Sequence, residues 1–151
     1  MVLALKHGDR LDMARPLAAW MARSGGELLD RADLIAPVPL HWQRLLKRRY
    51  NQSAELVRYL AKHSDKPAVQ DLLLRTRQTK AQEGMTREER RINQAGAFRL
   101  QSKHSVQGKN VLLVDDVMTS GATLSACAEA LRAAGANHID VLVLARVARA
   151  E

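Results

Sequence analysis

The chain alternates between a helical and an extended rhythm of apolar positions. Leu11, Ala14, Ala18 and Met21 recur at helical spacing and stop at Gly25-Gly26, which predicts an opening helix serving as a lid or a packing element. "DLIAPV", from Asp33 to Val38, reads as a short buried strand with Pro37 and Pro39 marking its exit. A loop, "PLHWQRLLKRRYN", follows. Asn51 then suits an N-cap, and Ala54, Val57, Leu60 and Ala61 form an apolar stripe, so a helix is expected to about His63. Leu72 to Leu74 make a second short strand. From Arg75 to Arg91 the pattern lapses into "RTRQTKAQEGMTREERR", with Gly84 as a hinge, which predicts a mobile segment. Thr86 and Glu89 have capping-box spacing, and its second half is expected to be a helix ending near Gln94.

The last third is more regular. Asn110 to Val114 is a continuous β-branched and leucine run, as expected of a strand buried on both faces of a parallel sheet. Ala122 to Ala134 reads as helix, Gly135 is its natural stop, and "HIDVLVLA", His138 to Ala145, is another buried strand. Strands alternating with helices predict an α/β fold with a central, mostly parallel sheet flanked by helices. With no repeats, low-complexity tracts or linker, 151 residues are expected to form a single domain, 1–151.

Charge narrows the choice of partner. The net charge is +8, and residues 41–103 hold 15 Lys/Arg against 6 Asp/Glu while the rest holds 9 against 10, so the whole basic excess is central. A concentrated positive field implies a polyanion, either nucleic acid or a multi-phosphate metabolite. Aromatic residues make up only 3% of the chain, which argues against base-stacking platforms. The longest apolar runs are too short to span a membrane and no secretory signal opens the sequence, so a cytoplasmic protein is expected. Cys127 is the single cysteine and the five histidines are scattered, which leaves a zinc site no framework.

The densest chemistry lies in "VLLVDDVMTSGAT", Val111 to Thr123. Asp115 and Asp116 are placed where a strand is expected to end, and in open α/β sheets ligands bind beyond the carboxyl ends of the strands. Two adjacent like charges repel unless a cation or a hydroxyl-rich ligand lies between them. A ribose with vicinal hydroxyls, helped by Mg²⁺, suits them. Thr119, Ser120, Gly121, Ala122 and Thr123 then offer small side chains, hydroxyls, backbone N–H groups and a helix N-terminus, all favourable for a phosphate. A receiver domain also opens with a strand ending in two acids, but only 35 residues follow Asp116, too few for the rest of one. Neither GxxxxGK[ST] nor GxGxxG occurs.

The stretch resembles the phosphoribosyl pyrophosphate-binding motif of type I phosphoribosyltransferases at every position. Nearly the whole chain is similar to one branch, the ComF-type proteins, named for a role in DNA uptake competence. "PVPLHWQRLLKRRYNQSAELVRYLA" looks like the segment after that branch's first strand, and "RTRQTKAQEGMTREERRINQAGAF" is similar to its arginine-rich segment. Members usually carry a glycine where Arg49 stands, and they commonly begin with a cysteine-rich zinc module. This chain starts after that module would end, so a short member or a trimmed piece is expected.

The resemblance implies a type I phosphoribosyltransferase-like fold with a small hood of terminal segments over the acceptor. It implies that Asp115 and Asp116 hold the ribose hydroxyls, and that Thr119 to Thr123 hold the 5′-phosphate. Pro39, Leu40 and His41 would face pyrophosphate on a strained or cis peptide, with Arg44, Arg48 and Arg49 as partners, since guanidinium groups bind phosphate in bidentate fashion. A solvated basic surface is the other account of each arginine. Thr79, Gln82 and Arg87 would belong to a loop closing over the substrate. The implied reaction displaces pyrophosphate from the anomeric carbon by a nitrogen nucleophile, with Mg²⁺ carried by the substrate or held at Asp115 and Asp116. The acceptor is left unnamed, and a homodimer is left open. The alternative is a non-enzymatic module that senses phosphoribosyl pyrophosphate or a nucleotide, or binds single-stranded DNA in competence.

Overall fold

The computed structural model describes residues 14–39, 52–75, 86, 88, 97–118 and 121–146. In chain order these form α1 (Ala14–Ser24), α2 (Gly26–Arg31), β1 (Leu34–Pro37), α3 (Gln52–Ser64), β2 (Leu73–Arg75), β3 (Phe98–Leu100), β4 (Asn110–Met118), α4 (Ala122–Ala133) and β5 (His138–Arg146). Strands β1, β4 and β5 make a parallel sheet in the order β1-β4-β5. The expected α/β architecture is therefore present, with "VLLV" of β4 at its centre. Val111, Leu112, Leu113 and Val114 are all buried, because the middle strand has a layer on each face.

Alternation along the strands divides the core in two. Ile35, Leu112 and Val114 meet Leu17 and Met21 of α1, Leu29 of α2 and Leu56, Val57 and Leu60 of α3. Leu34, Ala36, Val111 and Leu113 meet Leu124, Cys127 and Leu131 of α4, together with Leu73 and Phe98. The opening helix is thus a packing element. Of the segment expected to furnish a hood, α1 and α2 lie in this first layer; residues 1–13 and 147–151 are outside the described residues.

Several expectations are corrected. Gly25 ends α1, but Gly26 opens another short helix: Gly25 N–H donates to Met21 O at 2.8 Å, while Gly25 O accepts from Leu29 N. A Cβ at Gly25 would lie 3.0 Å from both Leu142 methyls, so this turn packs tightly against β5 and a side chain there would need Leu142 to shift. The Leu72–Leu74 strand is shifted by one residue and lies outside the main sheet. It pairs antiparallel with β3, an element the pattern does not signal, since three residues give too little periodicity. Gly135, with φ at 96°, follows α4 as expected. The helix expected up to Gln94 falls outside the described residues except for Thr86 and Glu88.

The acids are not at the end of their strand. β4 continues to Met118, because β5 keeps pairing with it: Asp115 lies beside Val143, Val117 beside Ala145 and Met118 beside Arg146. On the other edge, the last rung to the β1 side is Val38 N–H to Val114 O at 3.0 Å. The carboxyl half of β4 runs on beside β5 beyond its last register pair with β1, Pro37 beside Val114.

Candidate functional site

The departure of β1 sets the geometry of the acid pair. Alternation turns the N–H of Asp116 to the same edge as the Val114 carbonyl, past the Val38 rung. Asp115 Oδ1 accepts that N–H at 2.9 Å, so one acid caps the backbone of the next. The same oxygen accepts a hydrogen bond from Ser53 Oγ at 3.1 Å. Ser53 is in the first turn of α3, which packs against β1 and β4.

This corner concentrates the polarity of the interior. Among the described residues, the fully buried polar side chains are Gln52, Ser53 and Asp116. Burial, and next the charge of Asp116, push the Asp115 carboxyl up to about 7 from an ordinary value of 3.8, against the pull of the Ser53 hydroxyl. A carboxyl pair in that state is an acceptor-rich corner that a cation or a set of hydroxyl donors would relieve.

Three residues beyond β4, Gly121 adopts φ 80° and ψ 2° and forms the N-cap of α4, with no side chain capping the helix. Its carbonyl accepts from Ser125 N at 2.8 Å and so closes the first turn. The left-handed conformation is open to glycine and costly for other residues. The first turn of α4 carries the positive end of the helix dipole, an arrangement that suits a phosphate. Ala122 is buried and Thr123 half-buried beside it. Gly121→Ala is expected to lower stability by about 1 kcal/mol through backbone strain, read from the urea unfolding midpoint. An unchanged midpoint would mean that the turn tolerates a Cβ.

Of the residues singled out by sequence, the structure brings Asp115, Asp116, Gly121, Ala122 and Thr123 to one end of the sheet. Pro39 follows Val38, whose N–H bonds to β4 one residue before the acids. Leu40, His41, Arg44, Arg48, Arg49, Thr79, Gln82, Arg87, Thr119 and Ser120 lie outside the described residues, as does the peptide after Pro39. Ser53 is the member that sequence reasoning passes over. Its one signal is that a polar pair, Gln52-Ser53, opens a helix whose next turns are apolar.

Behind the acids, Cys127 is fully buried on α4. Burial raises its thiol far above the ordinary range, Asp115 adds to the effect and Arg75 opposes it. A thiol so held is neutral and inert, which agrees with a packing role. Arg75, at the end of β2, holds its guanidinium 5.3 Å from the centre of the ring of Phe98, its register partner on β3. Among the described residues, no group of three or more His, Cys, Asp or Glu could hold a metal ion.

Residues 45–151 match the family model described as "Phosphoribosyl transferase domain". "Competence protein F" of Haemophilus influenzae is 38% identical over 119 residues, which cover 78% of this chain and 52% of that protein. "DNA utilization protein YhgH" of Escherichia coli is 35% identical over 118 residues, covering 78% and 51%. The chain thus spans about half the length of the curated relatives it matches. Among solved structures, purine phosphoribosyltransferase from Pyrococcus horikoshii superposes with a TM-score of 0.54 at 20% identity, over 90% of this chain and 72% of that one. At that identity the likeness concerns the fold, a type I phosphoribosyltransferase fold.

Proposed function

Since this chain belongs to the phosphoribosyl transferase domain family, in its ComF-type branch, we propose that it binds phosphoribosyl pyrophosphate at the carboxyl end of β4 and transfers phosphoribosyl to or from a nitrogenous acceptor. The observation that carries this reading is the pairing of Asp115 and Asp116 with the left-handed Gly121 that opens α4. Two acceptor-rich carboxyls precede a helix N-terminus by a few residues, matching a diol and a phosphate on one small ligand.

In this reading Asp115 and Asp116 accept the ribose 2- and 3-hydroxyls, and Thr119 to Thr123 enclose the 5′-phosphate. Pro39, Leu40 and His41, with Arg44, Arg48 and Arg49, take the pyrophosphate; Thr79, Gln82 and Arg87 close over it. The acceptor nitrogen donates its lone pair to the anomeric carbon as the carbon–oxygen bond to pyrophosphate breaks and its electrons leave with that group. Positive charge grows on the sugar, where the two carboxyls lie, and negative charge grows on the leaving group, where arginines are needed. Mg²⁺ would supply neutralising charge to the pyrophosphate. The donor set fits such an ion, because Mg²⁺ keeps several waters and takes one or two carboxylates together with substrate phosphates.

A thermal-shift comparison tests this. With phosphoribosyl pyrophosphate and Mg²⁺ at about one hundred times Kd, the midpoint should rise by roughly 5–10 °C, the equivalent of about 2.7 kcal/mol in a protein of this size. Asp116→Asn should abolish most of the rise. A full shift in that variant would remove the acids from the site.

The names of the relatives favour a second reading, in which the basic excess binds single-stranded DNA without catalysis. Affinity for an oligonucleotide would then fall steeply with salt and persist in Asp116→Asn.

A further inference from the structure

We infer that Ser53 is a positioning residue for the sugar site: its hydroxyl fixes the rotation of the Asp115 carboxyl, so that Oδ1 is held by the protein and Oδ2 is the oxygen offered to ligand. This inference rests on the sugar-phosphate reading of the acid pair.

The geometry is specific. Asp115 Oδ1 takes two hydrogen bonds, from Ser53 Oγ at 3.1 Å and from Asp116 N–H at 2.9 Å. A carboxyl held through one oxygen by donors from two elements has lost its freedom to turn about the bond to Cβ, and the oxygen those donors do not hold is displaced to the opposite side. The Asp116 N–H is part of the strand and fixes one direction. Ser53 comes from α3, 62 positions away in sequence, and fixes the second.

Burial makes the bonding of the hydroxyl consequential. Ser53 is only 3% exposed, in the first turn of a helix whose buried face is otherwise built by Leu56, Val57 and Leu60. A small apolar residue would fit such a packing position, and burying a hydroxyl is costly unless it is hydrogen-bonded. The Ser53 hydroxyl donates to Asp115, one of the two acids of the proposed sugar site. The bond also crosses from the α3 layer to β4, one residue past its last register pair with β1.

The consequence is a thermodynamic coupling. If Ser53 acts through Asp115, removing its hydroxyl matters only while Asp115 has a carboxylate to orient. A purely structural serine would weaken binding by the same factor whatever stands at 115.

Isothermal titration with ribose 5-phosphate on four proteins reads this coupling: the unaltered chain, Ser53→Ala, Asp115→Ala and the double variant. Ser53→Ala should raise Kd about tenfold, the scale of one hydrogen bond to a charged group. In the Asp115→Ala background, which leaves Ser53 no carboxyl to orient, the same change should alter Kd by less than about twofold. Ser53→Cys, nearly isosteric with a weaker donor, should fall between serine and alanine, and it serves in place of Ala if that variant does not fold. Equal factors in both backgrounds, or no loss in Ser53→Ala and Ser53→Cys, overturn the positioning role while leaving the sugar site intact. No binding by the unaltered chain overturns the functional reading, and this inference with it. An Asp115→Ala loss paired with a silent Ser53 separates the two failures.

Discussion

Asp115→Asn is expected to make the protein more stable at pH 8 while weakening its hold on a sugar phosphate by at least about tenfold. The sign follows from the direction of the carboxyl's shift. In the folded chain burial and the neighbouring Asp116 lift Asp115 from 3.8 to about 7. Below the unfolded value both states carry the proton and nothing is lost. Between the two values only the folded state keeps it, so stability declines as pH rises through that window and is lowest above about 7. Asparagine has nearly the shape of the carboxyl, its Oδ1 accepts the same Ser53 and Asp116 donors, and it carries no charge to bury. A shift of about three units sets a ceiling of roughly 4 kcal/mol, and because the cost is shared with Asp116 a gain of about 1–3 kcal/mol is expected at pH 8. In a chain of this length that raises the unfolding midpoint by roughly 3–9 °C, against almost no gain at pH 4. Calorimetric scans at the two pH values check it. A variant no more stable at pH 8 than at pH 4, relative to the parent, would refute the account of a strained acid pair. The expected trade of stability for binding is what a functional site built at the edge of a core should show.

The parts of the fold legible in sequence are those made by long runs. "NVLLV" announces a strand buried on both faces, and the helix from Ala122 with its Gly135 stop is found with a one-residue difference at the end. Local rhythm says little about partners. It does not place β2 against β3 rather than in the main sheet, because three-residue strands have almost no period and their pairing is decided by Phe98 and Leu73 reaching a common core. Nor does it tell that β4 runs past the acids. Asp115 and Asp116 look like punctuation, yet β5 supplies backbone partners as far as Met118 and overrides the polarity of the side chains. The chemical pattern of the candidate site was legible because the acids and the proposed phosphate loop are consecutive. Ser53 was not, since its bond to Asp115 exists only after α3 folds onto the sheet.

Leu112→Ala should have the opposite profile: a loss of about 3–4 kcal/mol with little change in intrinsic affinity. Leu112 is fully buried in the middle of β4, beside Ile35 on one neighbouring strand and Asp140 on the other, and it joins the core beneath α1, α2 and α3. Removing three carbons there forfeits their transfer free energy and leaves a void that α3, itself pinned by Leu56 and Leu60, closes only in part. Against a total of about 5–15 kcal/mol, this is enough to lower the urea midpoint sharply at every pH. The site acids lie three and four residues along the same strand, so a ligand they hold stabilises the strand Leu112 anchors. Ribose 5-phosphate at about one hundred times Kd should return roughly 2.7 kcal/mol to Leu112→Ala and much less to Asp115→Asn at the same concentration. A loss below about 1 kcal/mol would show that the layer over Leu112 collapses freely. Equal rescue of both variants would separate the ligand from the carboxyl at Asp115.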